Sequence, residues 1–144
     1  FGVMLLVLGA IVAYLLVSGA SAGFSPASIK GAQWLRANAN ENESIFSFWD
    51  LGHALAYYTQ MPQIMDGYFE FGNKLKEREQ AMFAIHYSSD CKTFHENMNL
   101  FSAKYVFLSQ SDSLSLQYGI FQLKQCPRVR FPYANDEVRI LERI

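Results

Sequence analysis

Phe46-Ser47-Phe48-Trp49-Asp50-Leu51-Gly52 is the stretch on which the reading of this chain turns. From Ile45 to Trp49 the residues are aromatic or β-branched, apart from Ser47, which suits a strand half-buried in a sheet. Asp50 follows at a good N-cap position, and Leu51, Leu55 and Tyr58 then recur at helical spacing as far as Gln60, before Pro62 ends the run. A strand running straight into a helix points to an α/β layout. In open α/β sheets, ligands bind at the carboxyl ends of strands, beside helix N-termini. Trp49 and Asp50 stand at such an end. There an indole N–H and a carboxylate can hold a hydroxyl or an amide of an extended peptide, and Gly52 would let another backbone come close. The plainer alternative is that Asp50 only caps its helix and that Phe48 and Trp49 belong to the core.

Working outward, Ser25-Pro26 pairs an N-cap with proline at the first helical position. A helix over Ala27 to Ala37 would bury Ile29, Ala32, Trp34 and Leu35, and Asn38 to Ser44 is a polar turn. Downstream, Gln63 to Met65 reads as a short strand closed by an Asp66-Gly67 turn. Glu70 to Glu79 begins a solvated helix that continues through Ala81, Met82 and Ile85. Cys91 to Leu100 forms another, capped by Asp90. Tyr105 to Leu108 is the clearest buried strand, and Ser111 and Asp112 open a helix carrying residues as far as Leu123. Val129 to Tyr133 and Val138 to Leu141 are two strands joined at Asn135-Asp136, a hairpin signal. The expected fold class is therefore α/β: a small, mostly parallel sheet covered by helices, with a C-terminal β-hairpin, in a domain over residues 23–144.

The N-terminal part differs in kind. Phe1 to Val17 is almost wholly apolar, and no charge occurs before Lys30. As a helix the run spans about 25 Å, slightly short of a bilayer core of roughly 30 Å. The chain begins at Phe1 rather than Met, so it reads as a fragment entering partway through a helix. Residues 1–22 are thus expected to be a transmembrane helix, the last span of a larger protein, with its linker. Two alternatives are a secretory signal peptide cleaved near Ala20-Ser21-Ala22, which would lack its usual basic n-region, and a buried core helix. Ser18 to Ser28 carries no Lys or Arg, which favours the extracytoplasmic side for the rest of the chain. Cys91 and Cys126 fit that side as a disulfide closing a long loop, with two reduced core thiols as the open alternative.

A net charge of −1 supplies no basic field for nucleic acid. There is no GxSxG, GxGxxG, Walker loop, HExxH or zinc-type Cys/His spacing. His53, His86 and His95 lie far apart and read as surface or internally satisfied residues. No residue is assigned to catalysis or to a metal. Asn42-Glu43-Ser44 matches an N-glycosylation acceptor pattern on a predicted turn, a match short enough to arise by chance.

An apolar span is followed by the amphipathic Ala32-Gln33-Trp34-Leu35-Arg36-Ala37-Asn38, a polar turn, a strand, and Phe48-Trp49-Asp50-Leu51-Gly52. This layout resembles the C-terminal part of the oligosaccharyltransferase catalytic subunit family, above all its archaeal members, whose signature is Trp-Trp-Asp-Tyr-Gly. Tyr57-Tyr58 and Ile64-Met65-Asp66 are similar to features downstream of that signature. The resemblance covers roughly residues 1–70 and is only architectural from Tyr105 on. It implies a membrane glycosyltransferase whose soluble extracytoplasmic domain holds an Asn-X-Ser/Thr acceptor peptide while a glycan is transferred from a lipid-linked donor. It implies that Trp49 and Asp50 bind the acceptor hydroxyl, with Phe48 in the place of the first Trp and Gly52 closing the motif. Phe48 brings no indole N–H, and Leu51 stands where the family has Tyr. It further implies membrane lipid, acceptor peptide and lipid-linked glycan as partners, and a divalent metal (Mg or Mn) held by acidic residues upstream of Phe1. The competing readings are a non-catalytic, membrane-anchored binding or assembly module and a secreted domain released after Ala22.

Overall fold

The computed structural model describes residues 24–65, 74–87, 90–109, 123 and 125–144. The expected membrane span and linker over 1–22, the Asp66-Gly67 turn, and the helix from Ser111 (up to its final Leu123, which is helical and buried) lie outside these residues. Among the described residues, no helix is long and apolar enough to cross a membrane.

Helix α1 spans Pro26–Asn38 and starts as its sequence dictates. The Ser25 hydroxyl accepts the backbone N–H of Ser28 at 3.1 Å, and Pro26 occupies the first turn. Ala32 and Leu35 are buried as expected, whereas Ile29 and Trp34 are half-buried, Trp34 lying against Tyr133. Strand β1 is only Ser44–Phe46. The expected strand to Trp49 stops early because Phe48 turns into an extended connecting conformation and Trp49–Leu51 coils into a 3-10 turn. Helix α2, Gly52–Thr59, follows directly, and Gln60 closes it in the left-handed region at φ 60°. The expected strand at Gln63 reduces to a single parallel bridge to Ile45. Helix α3 is Leu75–Tyr87. Helix α4 is Cys91–Leu100, its first turn capped by the Asp90 carboxylate, which accepts from Lys92 N and Thr93 N. Strands β2 (Ala103–Ser109), β3 (Val129–Ala134) and β4 (Val138–Arg143) complete the order.

The sheet runs β1-β2-β4-β3. The expectation of a mostly parallel sheet is corrected here: only β1 and β2 are parallel, while β4 is antiparallel to both β2 and β3. The helical crossover between β1 and β2 is what a parallel pair needs. The hairpin through Asn135, by contrast, returns β4 into the middle of the sheet, so half of the four strands come from a motif that can only pair antiparallel.

Side-chain alternation along β2 builds two cores. Tyr105 and Phe107 face α1 and α2, packing with Ala32, Leu35, Leu51, Leu55, Val138 and Ile140. Val106 and Leu108 face α3 and α4, packing with Met82, Ile85, Phe94, Met98 and Leu141. Cys91 and Cys126 are joined as a disulfide, Cα to Cα 5.4 Å, which closes the alternative of two free thiols.

Helix α1 comes close to the sheet at Gly31. A Cβ added there would lie 2.9 Å from a Val138 methyl and 3.0 Å from the Phe107 ring, both in the core. Overpacking of this kind costs about 1–3 kcal/mol, against about 1 kcal/mol returned by helix propensity. Gly31→Ala is therefore expected to destabilise the fold by about 1 kcal/mol. A urea midpoint at or above that of the parent chain would contradict this packing.

Candidate functional site

The strand run and the helix that follows it bring Phe48, Trp49, Asp50 and Gly52 to one end of the sheet, beyond the carboxyl end of β1. Trp49 is 46% exposed and Asp50 is exposed, while Leu51 and Gly52 are buried beneath them. The capping alternative for Asp50 does not describe this geometry. Phe48 precedes the 3-10 turn and Leu51 precedes α2, and neither helix start takes a side-chain cap hydrogen bond. Trp49 is likewise not core. Phe48 divides the two roles: it is half-buried, with its ring edge-on to three rings of α3, His86 at 4.4 Å, Tyr87 at 6.4 Å and Phe83 at 6.5 Å between centroids. Gly52 adopts ordinary helical angles and lies under the surface, so close approach of a second backbone falls to its exposed neighbours.

The same end of the sheet receives the start of α1. Ser109, at the carboxyl end of β2, pairs with Val138, and the adjoining Asn135 donates from Nδ2 to the carbonyl of Ala27 at 3.0 Å. Ser25 donates to the Glu137 carboxylate at 2.5 Å. The entry of the chain into the domain and the Trp49–Asp50 pair therefore share one end of the sheet.

Chemically, the exposed pair offers one indole donor and one carboxylate acceptor, a set for gripping polar ligand groups rather than for bond-breaking. Among the described residues, no group of three His, Cys, Asp or Glu side chains is placed to hold a metal ion. At the opposite end of the sheet, a cleft of about 500 Å³ is lined by His95, Asn99, Arg128 and Arg143 among others. It contains none of Phe48, Trp49, Asp50 and Gly52.

His86 is the residue that sequence reasoning missed. It was expected on the surface or internally satisfied, yet it is 2% exposed and only half satisfied. Its Nδ1 meets the Met82 carbonyl at 2.8 Å, and Nε2 is buried with no partner. Burial pushes its pKa down to about 4, with the Met82 contact opposing the shift more weakly. The available signal was its place one turn after Met82 and beside Ile85, on the apolar face of a helix.

No family model matches the chain. Over 38 residues it is 40% identical to the dolichyl-phosphooligosaccharide-protein glycotransferase 2 of Pyrococcus horikoshii, a match spanning 26% of this chain and 5% of the length of that curated relative. Among solved structures it is similar to the C-terminal globular domain of the oligosaccharyltransferase from Archaeoglobus fulgidus, with a TM-score of 0.67 at 9% identity over 83% of this chain and 98% of that one. The chain thus has the fold of the C-terminal globular domain of an archaeal oligosaccharyltransferase, the family that its sequence resembles.

Proposed function

We propose that this chain is the acceptor-handling part of a membrane glycosyltransferase of the oligosaccharyltransferase type. On this reading residues 1–22 form the last membrane span and its linker, and residues 23–144 the extracytoplasmic domain. Trp49 and Asp50 grip an Asn-X-Ser/Thr-type acceptor peptide, with Phe48 as the apolar wall beside them, while a glycan arrives from a lipid-linked donor. The observation that carries the reading is the exposure of Trp49 and Asp50 together, with Asp50 not spent on capping, in a fold similar to that of an oligosaccharyltransferase domain. The Cys91–Cys126 disulfide supports an oxidising, extracytoplasmic location. The shared end of α1 and the site supports a site that faces the membrane from which the chain would emerge. A divalent metal belongs to the whole enzyme on this reading; the described residues offer it no ligand set, and the grip on the acceptor does not depend on it.

The test is Asp50→Ala in the full-length membrane protein. A charge-assisted hydrogen bond is worth about 1.5–3 kcal/mol, so the KM for an acceptor peptide is expected to rise roughly 10- to 100-fold. Because Asp50 is exposed and caps no helix, the melting temperature should stay within about one degree. An unchanged KM would count against this role of Asp50, and no glycosylation by the parent protein itself would instead favour a non-catalytic, membrane-anchored binding or assembly module, a reading to which the exposed Trp49, Phe83 and Tyr87 lend support.

A further inference from the structure

Beside the candidate site, one buried side chain keeps a hydrogen-bonding atom open. The Met82 carbonyl can only accept, so Nδ1 of His86 carries the proton and Nε2 presents a lone pair. The ring stays neutral at physiological pH, which makes Nε2 an acceptor and not a donor. That lone pair is buried without a partner. Leaving a buried acceptor open is unfavourable and uncommon, and packing alone does not explain it, since leucine would fill similar space without the penalty. The ring that lies against His86 is Phe48, which directly precedes the exposed Trp49 and Asp50. Phe83 and Tyr87, on the same helix and against the same Phe48 ring, are 43% and 49% exposed, so this aromatic cover is at the surface and is held by solvent-facing neighbours.

We propose that His86 is a positioning residue of this site, its Nε2 accepting a hydrogen bond from a hydroxyl of the acceptor once the Phe48 ring yields. The inference rests on the acceptor-handling reading and divides that task. A hydroxyl has one hydrogen to give and two lone pairs to offer. A side-chain hydroxyl is slim enough to reach a buried atom, whereas the main chain of an extended peptide is not. The hydroxyl therefore gives its hydrogen to His86 Nε2. The exposed Asp50 is left to accept a peptide backbone N–H. The site thus recognises a serine or threonine side chain by an acceptor beneath Phe48, at a position where an indole would have supplied a donor.

The experiment uses the full chain in detergent micelles and two synthetic peptides, one containing Asn-X-Thr and the other its Asn-X-Val counterpart, which differs by hydroxyl against methyl. The wild-type chain is expected to bind the threonine peptide at least tenfold more tightly. His86→Leu should bring the two affinities to within about twofold, chiefly by weakening the threonine peptide. Asp50→Ala should weaken both peptides and keep their ratio. Independently of any variant, the Nε2 resonance of 15N-histidine-labelled wild type should move upfield on adding the threonine peptide and stay in place with the valine peptide. If His86→Leu keeps the tenfold preference, or the Nε2 resonance ignores the threonine peptide, the role of His86 is overturned while acceptor handling stands. If both peptides bind wild type equally, the role of His86 is again overturned. If neither peptide binds at all, acceptor handling fails and the role of His86 fails with it.

Discussion

Opening the Cys91–Cys126 bridge is expected to remove about 3–4 kcal/mol of stability, the largest single effect in this domain. The two cysteines are 35 residues apart in sequence, so the link withholds a sizeable loop-closure entropy from the unfolded chain. In the folded state it ties the first turn of α4 to the segment that leads into β3, and Cys126 is buried in the core between the sheet and α3 and α4. Urea unfolding of the Cys91→Ala/Cys126→Ala double variant, or of the wild type with reductant, measures it. For a domain of this size the loss corresponds to a fall in melting temperature of about 10–20 °C. A difference under about 1 kcal/mol would mean that the unfolded chain is already compact around this loop.

Acid should weaken the fold through His86. Unfolded, the imidazole titrates near its ordinary 6.5; folded, burial holds it to about 4. Above pH 6.5 both states leave it neutral, and stability does not depend on it. As the pH falls below 6.5 the unfolded chain gains a proton that the folded chain refuses, so stability declines until about pH 4, by about 3 kcal/mol in all. Carboxylates add their own slope at the acid end. The informative quantity is therefore the difference between wild type and His86→Leu, in urea midpoints taken from pH 7.5 to 4.5. The variant should show a much shallower decline. Parallel profiles would rule out a neutral, buried His86 as the source.

What could be read in advance was local. Ser25-Pro26 set the start of α1 and Asp90 the start of α4, because a cap is satisfied by atoms three residues away and needs no knowledge of the rest of the fold. The hairpin through Asn135 was legible for the same reason. Strand direction was not local. That β4 would lie between β2 and β3 depends on how a hairpin docks, and nothing in Val138 to Leu141 records its neighbours. The aromatic run from Ile45 to Trp49 overstated its strand, because propensity measures fitness for a pleated surface while a ladder also needs a partner; pairing with β2 ends at Phe46 opposite Val106. The exposed Trp49–Asp50 pair was found from sequence because it follows that run directly. His86 was missed because its role depends on Phe48, 38 positions earlier, reaching it across the fold.

The margins of the sheet bear on how a peptide can be held. On the β1 side, Ile45 donates to the Pro62 carbonyl and accepts from Ile64 N–H, so its outward-facing main chain is already taken by the segment after α2. On the β3 side, the register slips between Arg130 and Tyr133, and Pro132 sits within the slip with no N–H to give. Both rims therefore discourage a further strand, whether from a neighbouring copy or from a bound polypeptide. Among the described residues, the sheet margins disfavour recruitment by β-augmentation. On the acceptor-handling proposal, this leaves selection of an extended ligand to a few aromatic and polar side chains above the strand ends rather than to a run of backbone bonds.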